Sequence, residues 1–206
     1  MKQIDPSAMV SVITDLAKLL VEYPQKVEAH AAAGSASVTM SLGCHAVDAC
    51  KLIGQAGAMH KALGYLAHRM AARAGYALEY ERLRDPSGPG LGQVTRSPHR
   101  FVSRENWPQA TILATVERMA TELFGANRAV NLVNGDNTST IEILVPAGTL
   151  GPQKRVELQE AMQRIWHAIG RAQGRILNLR LAETFDLEIE EQPRTADGRY
   201  VKERGR

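Results

Sequence analysis

The sequence predicts an α+β fold built twice over. Three observations carry this. Residues 5–83 read in the order α-β-β-α-α-β. Residues 112–181 repeat that order with one helix fewer, α-β-β-α-β. Between them, residues 84–111 hold Pro86, Pro89, Pro98 and Pro108, with glycines at 88, 90 and 92 and no periodicity. Such a stretch reads as a linker.

The elements follow from local signals. Asp5-Pro6 opens a helix with a capping carboxylate and a proline in the first turn. Val10, Ile13, Leu16, Ala17 and Leu20 continue it at helical spacing, and Tyr23-Pro24 ends it. A strand is expected over 26–31 and a turn at Gly34-Ser35. Val38, Met40 and Leu42 then alternate with Thr39 and Ser41 in a half-buried strand. A short helix over 46–53 runs into Gly54 and Gly57. From Ala58 a longer helix carries Met59, Ala62, Leu63, Leu66, Ala67 and Met70 on one face and is capped by Gly75. Residues 76–83 make the third strand.

In the second half, Ile112, Val116, Met119, Ala120 and Leu123 form a helical face that stops at Gly125. Strands over 128–133 and 139–145 flank Asn134-Gly135, a strong hairpin signal. A helix is expected over 156–173, and Leu177, Leu179 and Leu181 alternate in the last strand. Phe185, Leu187 and Ile189 extend it, and the polar tail from Pro193 reads as disordered. The repeat is one of pattern. Where the first half has its short helix and glycine pair, the second has only Gly151-Pro152-Gln153-Lys154.

Composition narrows the function class. Of 206 residues, 44% are hydrophobic and only 5% aromatic, so the core rests on aliphatic and alanine packing. The apolar runs fall far short of the roughly 18 residues of a membrane helix, and no secretory signal is visible. Two cysteines make no disulfide framework, and a reducing cytoplasm is the simplest setting. The net charge of +3 permits a nucleic-acid partner without demanding one.

The glycine pair in Lys51-Leu52-Ile53-Gly54-Gln55-Ala56-Gly57 is the strongest functional signal. Two glycines within helical surroundings cost roughly 1 kcal/mol each relative to alanine, so the helix stops, turns and restarts there. One explanation is close helix packing. The other is a turn that lets a phosphodiester backbone approach the main chain, with the free N–H groups of the restarting helix facing it. Lys51, Ile53, Gly54, Gln55, Ala56, Gly57, His60 and Lys61 are the candidate contact residues.

Residues 8–83 resemble the small bacterial KH-domain proteins of the KhpA type. The resemblance is carried by the opening helix, by Tyr23-Pro24-Gln25-Lys26-Val27, and by the glycine turn followed by Lys61-Ala62-Leu63. It implies a type II KH fold, a three-stranded sheet covered by helices, that binds single-stranded RNA in the bacterial cytoplasm, without catalysis, cofactor or metal. The second half resembles a degenerate KH domain. The implied organisation is a KH-like domain over 1–84, a linker over 85–111, a degenerate KH-like domain over 112–192 and a tail over 193–206. Further candidate partners are another RNA-binding protein, the ribosome or the transcription machinery, and a homodimer is a candidate assembly. No membrane partner is expected. One departure stands out, because the middle residues Gln55 and Ala56 carry no positive charge. That departure favours the rival class, a scaffold or assembly module that uses the same fold for protein contacts.

Other signals have bland explanations. Cys44, His45, Asp48 and Cys50 match no paired metal spacing. His60 and His68 lack a catalytic partner. Gly88-Pro89-Gly90-Leu91-Gly92 lacks the lysine of a phosphate-binding loop. Arg96, Arg100 and Arg104, interleaved with Phe101 and Trp107, are candidate accessory RNA contacts, or else a solvated linker in which Trp107 docks onto the second half.

Overall fold

The computed structural model describes residues 5–34, 36–83, 107–126, 128–134 and 138–184. Helix α1 spans Ser7–Leu20; Pro6 rather than Asp5 holds the N-cap position, and the Asp5 carboxylate, one residue before it, accepts a hydrogen bond from the Ser7 N–H at 3.0 Å. The chain then makes one 3₁₀ turn, Pro24–Lys26, and enters β1, Glu28–Ala33. The strand expected over 26–31 therefore starts two residues later, because the fixed φ of Pro24 suits a tight turn. Next come β2, Ser37–Gly43, α2, Ala46–Ile53, α3, Ala58–Ala74, and β3, Ala77–Tyr80. The third strand is shorter than the expected 76–83. The Tyr76 N–H is used by the helix end, bonding to the Ala71 carbonyl at 3.1 Å, and the Glu81 N–H to the Met40 carbonyl, at 2.8 Å, is the last rung.

The second half contributes α4, Gln109–Phe124, β4, Ala129–Asn134, β5, Thr138–Pro146, α5, Pro152–Ala172, and β6, Ile176–Thr184. Helix α5 begins a turn earlier than expected over 156–173. Pro152 at its first position has the right φ and no N–H to leave unpaired. The hairpin tip at 135–137 and the tail from 185 lie outside the described residues.

The two halves share one topology. In each, a three-stranded sheet has its first strand antiparallel to the second and its third parallel to the second: β1-β2-β3 and β4-β5-β6. The parallel pairings require a crossover, which α2 and α3 supply in the first half and α5 alone in the second. The fold is α+β, with two KH-like units.

Helices α1 and α3 cover one sheet, α4 and α5 cover the other, and the helical layers pack against each other in the middle. Val38, Met40, Leu42 and Leu63 of the first half belong to the same apolar core as Ile141, Ile143, Leu179 and Trp166 of the second. Polar contacts tie the seam. Arg118 of α4 donates to Asp15 and Ser11 of α1 at 2.5 and 2.6 Å. The Tyr65 hydroxyl of α3 donates to Glu157 of α5 at 3.1 Å, and Arg73 of α3 to the Glu122 carbonyl at 3.3 Å. Trp107 is half-buried against this core, and its backbone N–H donates to the Gln173 side-chain Oε1 at 2.9 Å.

Candidate nucleic-acid interface

The glycine turn is built by three consecutive constraints. Helix α2 ends where Gly54 adopts φ 72°, ψ 174°, and Ala56 (φ 51°) and Gly57 (φ 74°) follow in the left-handed region. These conformations are open to glycine and strained for other residues. Gly54 is fixed by space as well. A Cβ there would lie 2.7 Å from the Met59 N and 2.8 Å from its Cβ. At Gly57 nothing lies within 4 Å of the equivalent position, so only its φ demands glycine. Gln55 and Ala56 are exposed between them, and no side chain caps the start of α3. The result is an uncovered main-chain turn at the positive end of a 17-residue helix.

The flanking residues differ in what they offer. Lys61 is exposed. Ile53 is half-buried against the core. The His60 ring lies 4.8 Å from the Tyr80 ring, and burial lowers its pKa below the usual histidine value. It is therefore neutral at pH 7. Lys51 does not project into solvent. Its ammonium sits 2.8 Å from Glu22 and 2.9 Å from Asp48. Burial pulls its pKa down, but hydrogen bonds to the two carboxylates more than offset this and leave it above the usual lysine value. Arg96, Arg100 and Arg104 lie outside the described residues.

Asp48 organises this corner. Its carboxylate is fully buried and accepts from the Glu22 N–H at 2.9 Å, the Tyr23 N–H at 3.0 Å and Lys51. It thereby pins the segment after α1 to α2, nearly two turns before the glycine pair. Its neighbours at Cys44, His45 and Cys50 form no metal site. Cys44 is buried, while the His45 ring accepts from the Val47 N–H at 3.4 Å and lies 4.6 Å from Tyr23. Among the described residues no group of three or more His, Cys, Asp or Glu is placed to hold a metal ion, and no helix is long and apolar enough to cross a membrane.

A cleft of about 600 Å³ opens beside the turn. Gly54, Gln55, Ala56 and Met59 form one wall. Arg164 and Arg171 of α5 form the other, a pair that sequence reasoning missed. Their helical spacing and exposure were legible, but not that α5 packs along α3. The second half has no comparable turn. There β5 passes through residues 147–151 directly into α5.

Among the curated proteins and among the solved structures nothing matches significantly. Residues 10–81, from α1 through β3, match the family model described as KhpA/KhpB, KH domain. That span holds the glycine turn within the α-β-β-α-α-β frame, and over residues 10–81 the chain is similar to a KH domain of the KhpA/KhpB kind.

Proposed function

We propose that this protein binds single-stranded RNA, in bacterial RNA metabolism or its regulation, and that the 54–57 turn holds the sugar–phosphate backbone. The observation that carries the proposal is the uncovered turn: left-handed backbone at Gly54, Ala56 and Gly57, exposed Gln55 and Ala56, and an uncapped helix start behind them. A phosphate can approach such a main chain closely and meet its N–H groups. KH domains clamp about four nucleotides in this way through a GXXG loop. Lys61 supplies an exposed charge beside the turn. Lys51 contributes by fixing the corner on which the turn stands. The units are residues 1–84 and 112–192, joined by 85–111, and the role is binding without catalysis.

The test is Gln55→Asp with Ala56→Asp, measured by fluorescence anisotropy against a labelled pool of randomised 20-nucleotide RNA. Two carboxylates at the turn repel phosphates, so affinity should collapse while the melting temperature holds. Undiminished affinity in the folded variant refutes the site. The uncharged Gln55-Ala56 pair favours one rival, an assembly module that uses the KH fold for protein contacts. The unaltered chain separates the two: RNA binding weakens with added salt as counterions are released, whereas the rival shows no saturable binding.

A further inference from the structure

The KH turn is poor in charge on its own side. Gln55 and Ala56 are neutral, and the lysine that reaches the cleft, Lys51, is neutralised by Glu22 and Asp48. The opposite wall differs. Arg164 and Arg171 are exposed, and among the described residues neither has a carboxylate within ion-pair distance. They stand seven residues apart, two turns of one helix, so they present to the same side about 10 Å apart along the axis.

The charge continues beyond the cleft. A second hollow, of about 520 Å³, shares Arg164 and Arg171 with the first and adds His167 and Arg175. Arg164, His167 and Arg171 lie at intervals of three and four along one face of α5, about 10 Å of helix, and Arg175 follows three residues past the helix end. Glu160 is the one acidic residue lining it among the described residues.

We propose that α5 of the second half supplies the phosphate-binding cations of the RNA site, so that the site is shared between the halves. The inference rests on RNA binding at the 54–57 turn. The turn offers main-chain N–H groups at close range, and Arg164 and Arg171 face it across the cleft with guanidinium groups that suit bidentate contact to phosphate oxygens. The backbone of a bound strand runs from the turn onto Arg164 and Arg171, and on to Arg175 just past the end of α5. The second half, which lacks a glycine turn, contributes to recognition through its helix.

The experiment compares three full-length proteins against the randomised 20-nucleotide RNA pool from 0.05 to 0.5 M salt: the unaltered chain, Arg164→Gln with Arg171→Gln, and Gln55→Asp with Ala56→Asp. Both arginines are exposed, so the melting temperature should hold and report folding. Losing two single-strand phosphate contacts should reduce the slope of log affinity against log salt by about 1.4, and weaken binding by about 25-fold at 0.1 M salt. That result, with loss of binding in the turn variant, supports the shared site. Unchanged affinity and slope in the arginine variant, with binding lost in the turn variant, overturns the inference and leaves the turn as the site. Weakening by the arginine changes while the turn variant binds normally overturns both the shared site and the turn. No saturable binding by the unaltered chain overturns the RNA reading and this inference together.

Discussion

Replacing Lys51 with methionine separates a phosphate contact from a structural ion. The Lys51 side chain is 12% exposed, and its ammonium lies within 2.9 Å of two carboxylates, one of them the fully buried Asp48. Methionine keeps the length and apolar stem but removes the charge. Breaking a buried ion pair costs about 3–5 kcal/mol when the remaining charge is left without compensation. Asp48 keeps two backbone donors, from Glu22 and Tyr23, and Glu22 keeps some solvent access. The cost should therefore be lower, about 2–3 kcal/mol, or roughly 5–10 °C in melting temperature for a chain of this size. The assay is thermal melting followed by circular dichroism, beside RNA affinity at a temperature where both proteins are folded. Melting should fall and affinity should change little. Adding Asp48→Asn should recover part of the loss, because it removes the stranded charge. The pH dependence has a definite sign. Lys51 has a raised pKa in the folded state. Its contribution is fully present below the ordinary lysine pKa and is lost as pH rises through the folded value. The gap between the native protein and Lys51→Met should thus be flat from pH 6 to 9 and close only in stronger alkali. Unchanged melting with lost RNA affinity would refute the reasoning and return Lys51 to the contact surface.

Gly54→Ala and Gly57→Ala should differ in cost. The first combines a left-handed backbone with overlap on Met59, for about 3 kcal/mol. The second meets open space and costs about 1 kcal/mol. Equal melting temperatures for the two variants would contradict the crowding at Gly54. Trp107→Ala should lower stability by about 1.5–3 kcal/mol, because the ring packs on the core, while the folded variant keeps its RNA affinity. Unchanged melting with weakened binding would make Trp107 a stacking residue instead.

The glycine turn was legible in the sequence because its cause is local. Helix α2 was expected over 46–53 and spans Ala46–Ile53, and the turn after it is bounded by two glycines that tolerate its positive φ. Strand alternation placed Val38, Met40 and Leu42 in the core correctly, since period two leaves no choice of face once one side is buried. The role of Lys51 was not legible. Its i,i+3 spacing from Asp48 is visible in the sequence, but Glu22 lies 29 residues away and reaches it only through the turn after α1. The basic wall was hidden for the same reason. Arg164 is more than a hundred residues from Gly54, and only the packing of α5 along α3 brings them to one cleft.

The back-to-back helical layers bear on how the chain unfolds. Helix α3 buries eight of its 17 residues, a wider arc than one sheet can cover, because a sheet lies on one side and α5 on the other. Neither half has a helical surface finished for water where they meet. Separating them would expose alanine- and leucine-rich faces, so partial melting of one half removes part of the other's core. The two repeats share a topology and are cooperative in folding, as neighbouring units of a repeat array are. Strain introduced at the far end of β6 would thus be felt in the free energy of the glycine turn.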